Sequence, residues 1–165
     1  MTQENKELLI RDLCGRLPYG VKAYIKNWSN LSRKYYEGVY TVESIDTSLN
    51  TIFADSERSP VEVIVGHDDY EIKPYLFPMS SMTEEQARML SILYGIKDIL
   101  SKKITDEYIE FEVDAGFGDV ETRRIWYNEI VSSIETFDWL NKNHFDYRGL
   151  IPMNLAIDAT RLDIY

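Results

Sequence analysis

Apolar positions recur in two different rhythms along this chain, and the rhythm changes where Gly and Pro appear. Leu9, Ile10, Leu13 and Cys14 fall at three- and four-residue spacing, which predicts an amphipathic helix over 4–14 with Cys14 on its buried stripe. Gly15 is a suitable stop and Pro18 opposes a restart. From Val21 the period becomes two. Val21, Ala23 and Ile25 point one way, while Lys22, Tyr24 and Lys26 point the other. Val39 to Ile45, Thr51 to Ala54 and Val61 to Val65 continue the strand pattern, separated by turn residues at 46–50 and 55–60. Four such strands predict a small antiparallel sheet or SH3-like barrel.

Pro74 and Pro78 bracket Tyr75-Leu76-Phe77 and suggest a linker packed on the body. Thr83-Glu84-Glu85-Gln86 spells a capping box, predicting a helix from 84 to about 102 with Met89, Leu90, Leu93, Ile96 and Leu100 as its stripe and Lys102 and Lys103 at its carboxyl end. Tyr108 to Val113 alternates as a half-buried strand that Gly116 and Gly118 break. Trp126, Ile130, Ile134, Phe137 and Leu140 predict a second long helix starting at Val120 and ending near 141–143. The tail, Gly149 to Ala159, is apolar enough to dock. The fold expected is α+β in a single domain over 1–165, with a β-rich lobe at 1–78 and a helical one at 79–165.

Three segments together carry a resemblance. They are Leu13-Cys14-Gly15-Arg16-Leu17-Pro18-Tyr19-Gly20-Val21, then Lys73-Pro74-Tyr75-Leu76-Phe77-Pro78-Met79-Ser80-Ser81-Met82-Thr83-Glu84-Glu85, and finally His144-Phe145-Asp146-Tyr147-Arg148-Gly149-Leu150-Ile151-Pro152. This wording resembles a family of short uncharacterised proteins from Bacteroides-type gut bacteria and their phages and mobile elements. The resemblance implies an accessory-element origin and brings no activity, ligand or catalytic residue with it.

Charge changes the picture once it is divided. The 165 residues carry 18 basic and 28 acidic side chains, a formal net charge of −10. Residues 1–41 hold 7 of the basic and 4 of the acidic ones, so a cationic start precedes an acidic remainder. Such a balance repels nucleic acid and anionic membranes at long range, while a local basic face still acts within a Debye length of about 10 Å. No apolar run approaches the length of a membrane span and the start of the sequence lacks a signal-peptide core, which predicts a cytoplasmic protein with no membrane partner.

The sharpest chemical pattern is the basic-aromatic segment 16–40. Lys22, Tyr24, Lys26 and Trp28 share one strand face, and Arg33, Lys34 and Tyr36 follow closely. Single-strand nucleic-acid binders use such interleaving, with rings stacked on bases and cations along the phosphates. An exposed strand face that covers its apolar neighbours with long amphipathic side chains looks the same.

Other candidates are incomplete. His67-Asp68-Asp69 contains the dipeptide of metal-dependent phosphohydrolases, yet the only other histidine is His144 and no ligand spacing completes a site. Cys14 has no assignable base, Gly116-Phe117-Gly118 lacks the phosphate-loop pattern, Ser80-Ser81 reads as turn chemistry, and Glu110 and Glu112 read as a solvated strand face as readily as a carboxylate pair. No cofactor or metal is therefore expected. The leading expectation is a non-enzymatic module with a protein partner, followed by a single-stranded nucleic-acid binder using 16–40 and then a metal-dependent hydrolase around His67 and Asp68.

Overall fold

The computed structural model describes residues 1–29, 33–56, 60–129 and 133–165 and is α+β. The chain divides into two compact units, one of residues 1–77 with 149–165, the other of residues 78–148.

The first unit opens with α1, Gln3–Arg16, whose amino end is capped by Thr2 accepting from the Asn5 amide at 3.2 Å. The helix runs one residue past Gly15, to Arg16, which pairs with Asp12 at helical i,i+4 spacing. The chain turns instead at Gly20, whose φ of +67° follows a short 3-10 turn over Leu17–Tyr19. Cys14 faces outward and is exposed, correcting the stripe expected of α1: the buried positions are Leu9, Ile10, Asp12, Leu13 and Arg16, so an ion pair fills the place expected for the thiol.

Five strands follow: β1 Lys22–Ser29, β2 Lys34–Asp46, β3 Thr51–Asp55, β4 Val61–Ile64 and β5 Tyr70–Leu76. All their pairings are antiparallel. A late strand, β9 Ile157–Asp158, joins β5 in parallel, giving the order β4-β3-β2-β1-β5-β9. The inward faces bury Val21, Ala23, Ile25, Val42, Ile52, Ala54, Val63 and Ile72 against Leu9, Ile10 and Leu13 of α1. Each Val, Ile or Leu among them, taken fully out of water, contributes about 1.5–3 kcal/mol.

The expected linker at 74–77 is corrected. Pro74 lies inside β5, opposite Ala23, and Tyr75 and Leu76 begin the pairing with β9. Proline is tolerated because the β1 ladder ends at Pro74 and the β9 ladder starts one residue later, so neither ladder needs its missing N–H. The tail docks as expected, burying Leu150, Leu155 and Ala156 with Leu76.

The second unit contains α2 Glu84–Leu93, β6 Ile99–Ile104, β7 Tyr108–Gly116, β8 Asp119–Trp126 and α3 Ile134–Lys142. The strands form an antiparallel sheet in the order β6-β7-β8. The capping box of α2 is present: the Thr83 amide donates to Gln86 Oε1 at 2.8 Å, and the Gln86 amide donates to Thr83 Oγ1 at 3.2 Å.

Both long helices expected here are shorter. α2 stops before Gly95, which takes φ +67° while the Ile96 amide reaches back to the Ser91 carbonyl at 2.9 Å; Leu100, 59% exposed, and Lys102 belong to β6. Lys102 Nζ donates to the Glu84 carbonyl at 3.0 Å, placing it at the amino end of α2 instead of the carboxyl end. The segment 120–126 is β8, and Ile130 lies outside the described residues. The helix beyond it ends near the expected position, through the same closure as α2, with His144 at φ +55° and the Phe145 amide donating to the Leu140 carbonyl at 3.1 Å.

Candidate binding face on the β1–β2 hairpin

Register decides what the basic-aromatic segment can present. Along β1, Lys22, Tyr24, Lys26 and Trp28 do share a face, opposite Thr41, Val39, Glu37 and Tyr35 of β2. Lys34 and Tyr36 sit opposite Ser29 and Asn27 and so belong by alternation to the other side, while Arg33 occupies the turn with φ +53°. The seven residues therefore split between two faces and a turn.

The shared face is mixed in charge. Lys26 lies between Glu37 on β2 and Glu71 on β5, and Tyr24 lies beside Lys73, which pairs with Glu71 at 2.8 Å. Lys22 is engaged by the tail: its Nζ donates to the Ile164 carbonyl at 2.5 Å, and its amide donates to the Tyr165 hydroxyl at 3.2 Å. The Tyr24 hydroxyl donates to Glu37 at 2.5 Å. Toward the hairpin end the rings gather. Trp28 meets Tyr35 edge-on at 4.9 Å between centroids, and Lys26 Nζ lies 4.6 Å from the Tyr35 ring centre, an arrangement worth about 0.5–1 kcal/mol at an exposed site. Tyr35 and Tyr36 are each about half exposed, at 53% and 51%.

Hydrogen bonding to Glu37, then partial burial, pushes the Tyr24 hydroxyl up to about 12. Burial pushes Tyr165 up to about 12 and raises Tyr75 and Tyr127 as well. For an acid whose folded pKa lies above its unfolded value near 10, the protonated form is the one the fold holds. The stabilisation is complete below pH 10 and disappears as pH rises through 12. Ultraviolet titration is expected to show a late group of tyrosines ionising near pH 12, with stability falling as pH rises from 10 through 12; Tyr24→Phe removes one late ionisation. Ionisation of all twelve together near pH 10 in the folded protein would contradict these hydroxyl environments.

The remaining candidates fall into ordinary structural places. His67 is in the β4–β5 turn, where its Nδ1 accepts from the Asp69 amide at 3.2 Å. Glu110 pairs with Arg124 at 2.6 Å and Glu112 accepts from Ser101 at 2.6 Å. Gly116-Phe117-Gly118 forms the β7–β8 turn, all three residues having positive φ. Ser81 Oγ donates to the Pro78 carbonyl at 2.7 Å within a 3-10 turn. Among the described residues, no three His, Cys, Asp or Glu gather where they could hold a metal ion.

Sequence reasoning missed a second aromatic-cation cluster. Tyr108 and Trp126 lie opposite each other on β7 and β8 with centroids 4.7 Å apart, and the Arg124 guanidinium lies 5.3 Å from the Tyr108 ring centre. Its members stand at alternate positions, Arg124 and Trp126 sharing one face of β8 with Trp126 opposite Tyr108, which a helical reading of that stretch conceals. Among the described residues, no helix is long and apolar enough to cross a membrane. Set against protein-family models, curated proteins and solved structures, the chain matches none.

Proposed function

We propose that this protein is a non-enzymatic, cytoplasmic interaction module that binds another protein through the β1–β2 face. One observation carries the reading: the cations on that face alternate with acids in register, Lys26 lying between Glu37 and Glu71. A polyanion gains from an uninterrupted cationic track, whereas a mixed face with an exposed Tyr35 and a half-buried Trp28 complements a protein surface of mixed charge. Tyr35 and Trp28 supply rigid apolar contact at low entropic cost, as aromatic residues do at interface centres. The net charge of −10 acts in the same direction by opposing long-range attraction of nucleic acid.

The test is a photo-crosslinking residue at Tyr35 in cells of the source organism. Discrete, nuclease-resistant protein adducts that fade with Trp28→Ala are expected. In parallel, a labelled single-stranded oligonucleotide at low salt should show no saturation up to about 10⁻⁵ M. Micromolar binding that is lost in Trp28→Ala, by about 1–3 kcal/mol of stacking, would replace the protein-binding reading with the nucleic-acid one.

A further inference from the structure

Strand β8 is an edge in which residues Asp119 to Arg124 are all exposed, and among the described residues it pairs with β7 alone. Edge strands of this length are ordinarily blunted by charges, and β8 carries Glu121, Arg123 and Arg124. These charges repel a generic strand but complement one another when the strand meets itself. We infer that β8 is a homodimerisation edge, pairing antiparallel with β8 of a second copy about a two-fold axis at Thr122.

The register follows from the backbone. The Tyr127 amide donates to the Glu107 carbonyl at 3.0 Å, and Trp126 stands opposite Tyr108, so odd-numbered residues turn their backbone groups toward β7. Val120, Thr122 and Arg124 therefore direct their N–H and C=O groups to the free edge. Centring the pair on Thr122 uses all three, making about six main-chain hydrogen bonds. It also sets Glu121 opposite the partner's Arg123, and the converse, in the closer non-hydrogen-bonded positions where cross-strand ion pairs interact best. Neighbouring registers fail on charge. An axis at Glu121 or Arg123 places like charges opposite themselves, one at Arg124 stacks arginine on arginine, and one at Val120 sets Asp119 against Glu121.

The apolar residues of the hairpin fit the same arrangement. Phe117 at the tip is fully exposed, Val120 is 58% exposed and Trp126 37%. The Thr122 register carries each Phe117 to the end of the partner strand, at Trp126, covering both exposed rings, and lays Val120 beside the partner's Arg124.

Sedimentation equilibrium of the full chain should show a concentration-dependent dimer. Thr122→Pro removes a free-edge donor without touching the β7 ladder, and it is expected to give a monomer with an unchanged circular dichroism spectrum. Glu121→Arg and Arg123→Glu, each alone, should weaken the dimer about tenfold or more, and mixing the two variants should restore association as a heterodimer. With Cys14→Ser as background, Thr122→Cys should form an intermolecular disulfide under mild oxidation, whereas Val120→Cys alone should not. A monomer persisting to about 1 mM, or a dimer indifferent to the Pro and charge variants, would overturn the inference.

Discussion

Replacing Asp12 by Ala is expected to lower the unfolding free energy by about 3–5 kcal/mol, among the largest effects of any substitution in this chain. Asp12 and Arg16 are both completely buried, with Nε donating to Oδ2 at 2.7 Å and Nη2 to Oδ1 at 3.0 Å. Two parallel charge-assisted bonds hold the guanidinium in its fork geometry and offset much of the desolvation of both ions. Alanine removes the anion from beside a completely buried guanidinium, so the cost exceeds the net worth of the pair. Asp12→Asn, which keeps one acceptor, should fall between wild type and alanine. The Asp12→Ala/Arg16→Ala double variant should lose less than the two single losses together. Urea denaturation with an unchanged m-value measures each; a loss below about 1 kcal/mol for Asp12→Ala would mean that water enters and solvates Arg16.

That pair also explains what the sequence concealed about α1. A stripe of Leu9, Ile10, Leu13 and Cys14 is apolar throughout, and burying Asp and Arg instead of Cys14 is unfavourable for either ion taken alone. Their pairing helps to make it possible, and hydrophobic spacing does not report such coupling. The strands β1, β3 and β4 were legible because each alternates buried with wetter positions, so period two appears directly in the residue types. The α2 start was legible because a capping box is local chemistry. Its end was not. Apolar spacing continues through Ile96 to Leu100, while Gly95 and the Ile96-to-Ser91 hydrogen bond reverse the chain beneath it. The β8 segment failed for a related reason: as an exposed edge it has a single buried residue, Ile125, and so shows no alternation of burial to read.

The candidate face was legible along one strand and illegible across strands. Lys22, Tyr24, Lys26 and Trp28 share a side by arithmetic alone. Arg33, Lys34 and Tyr36 looked like neighbours because they are near in sequence, yet the hairpin turn and the β1–β2 register place Lys34 and Tyr36 opposite residues of the other face. Glu71 comes from β5, and its position beside Lys26 depends on a pairing that no local pattern announces. The mixed charge that favours a protein partner is thus a property of sheet register.

The second large effect separates the strand and helix readings of the β7–β8 region. Phe111 is fully buried at the middle of β7, between Lys102 of β6 and Arg123 of β8 in register. Phe111→Ala is expected to destabilise by about 3–5 kcal/mol, combining lost transfer energy with a cavity that paired strands on both sides cannot collapse into. Val120, across the same hairpin, is largely solvent-exposed, and Val120→Ala should stay within about 0.5 kcal/mol. A helix from Val120 carrying Trp126 on its core stripe would make Trp126→Ala the costlier change, whereas the sheet leaves that ring against Tyr108 on an open face and assigns the greater loss to Phe111. Hydrogen exchange resolves the two: in Phe111→Ala the amides of β6, β7 and β8 should accelerate together, because Phe111 sits on the central strand that pairs with both of the others. If Trp126→Ala instead cost more than Phe111→Ala, and the amides of 120–126 exchanged with a helical periodicity, the pairing of β7 with β8 would be wrong.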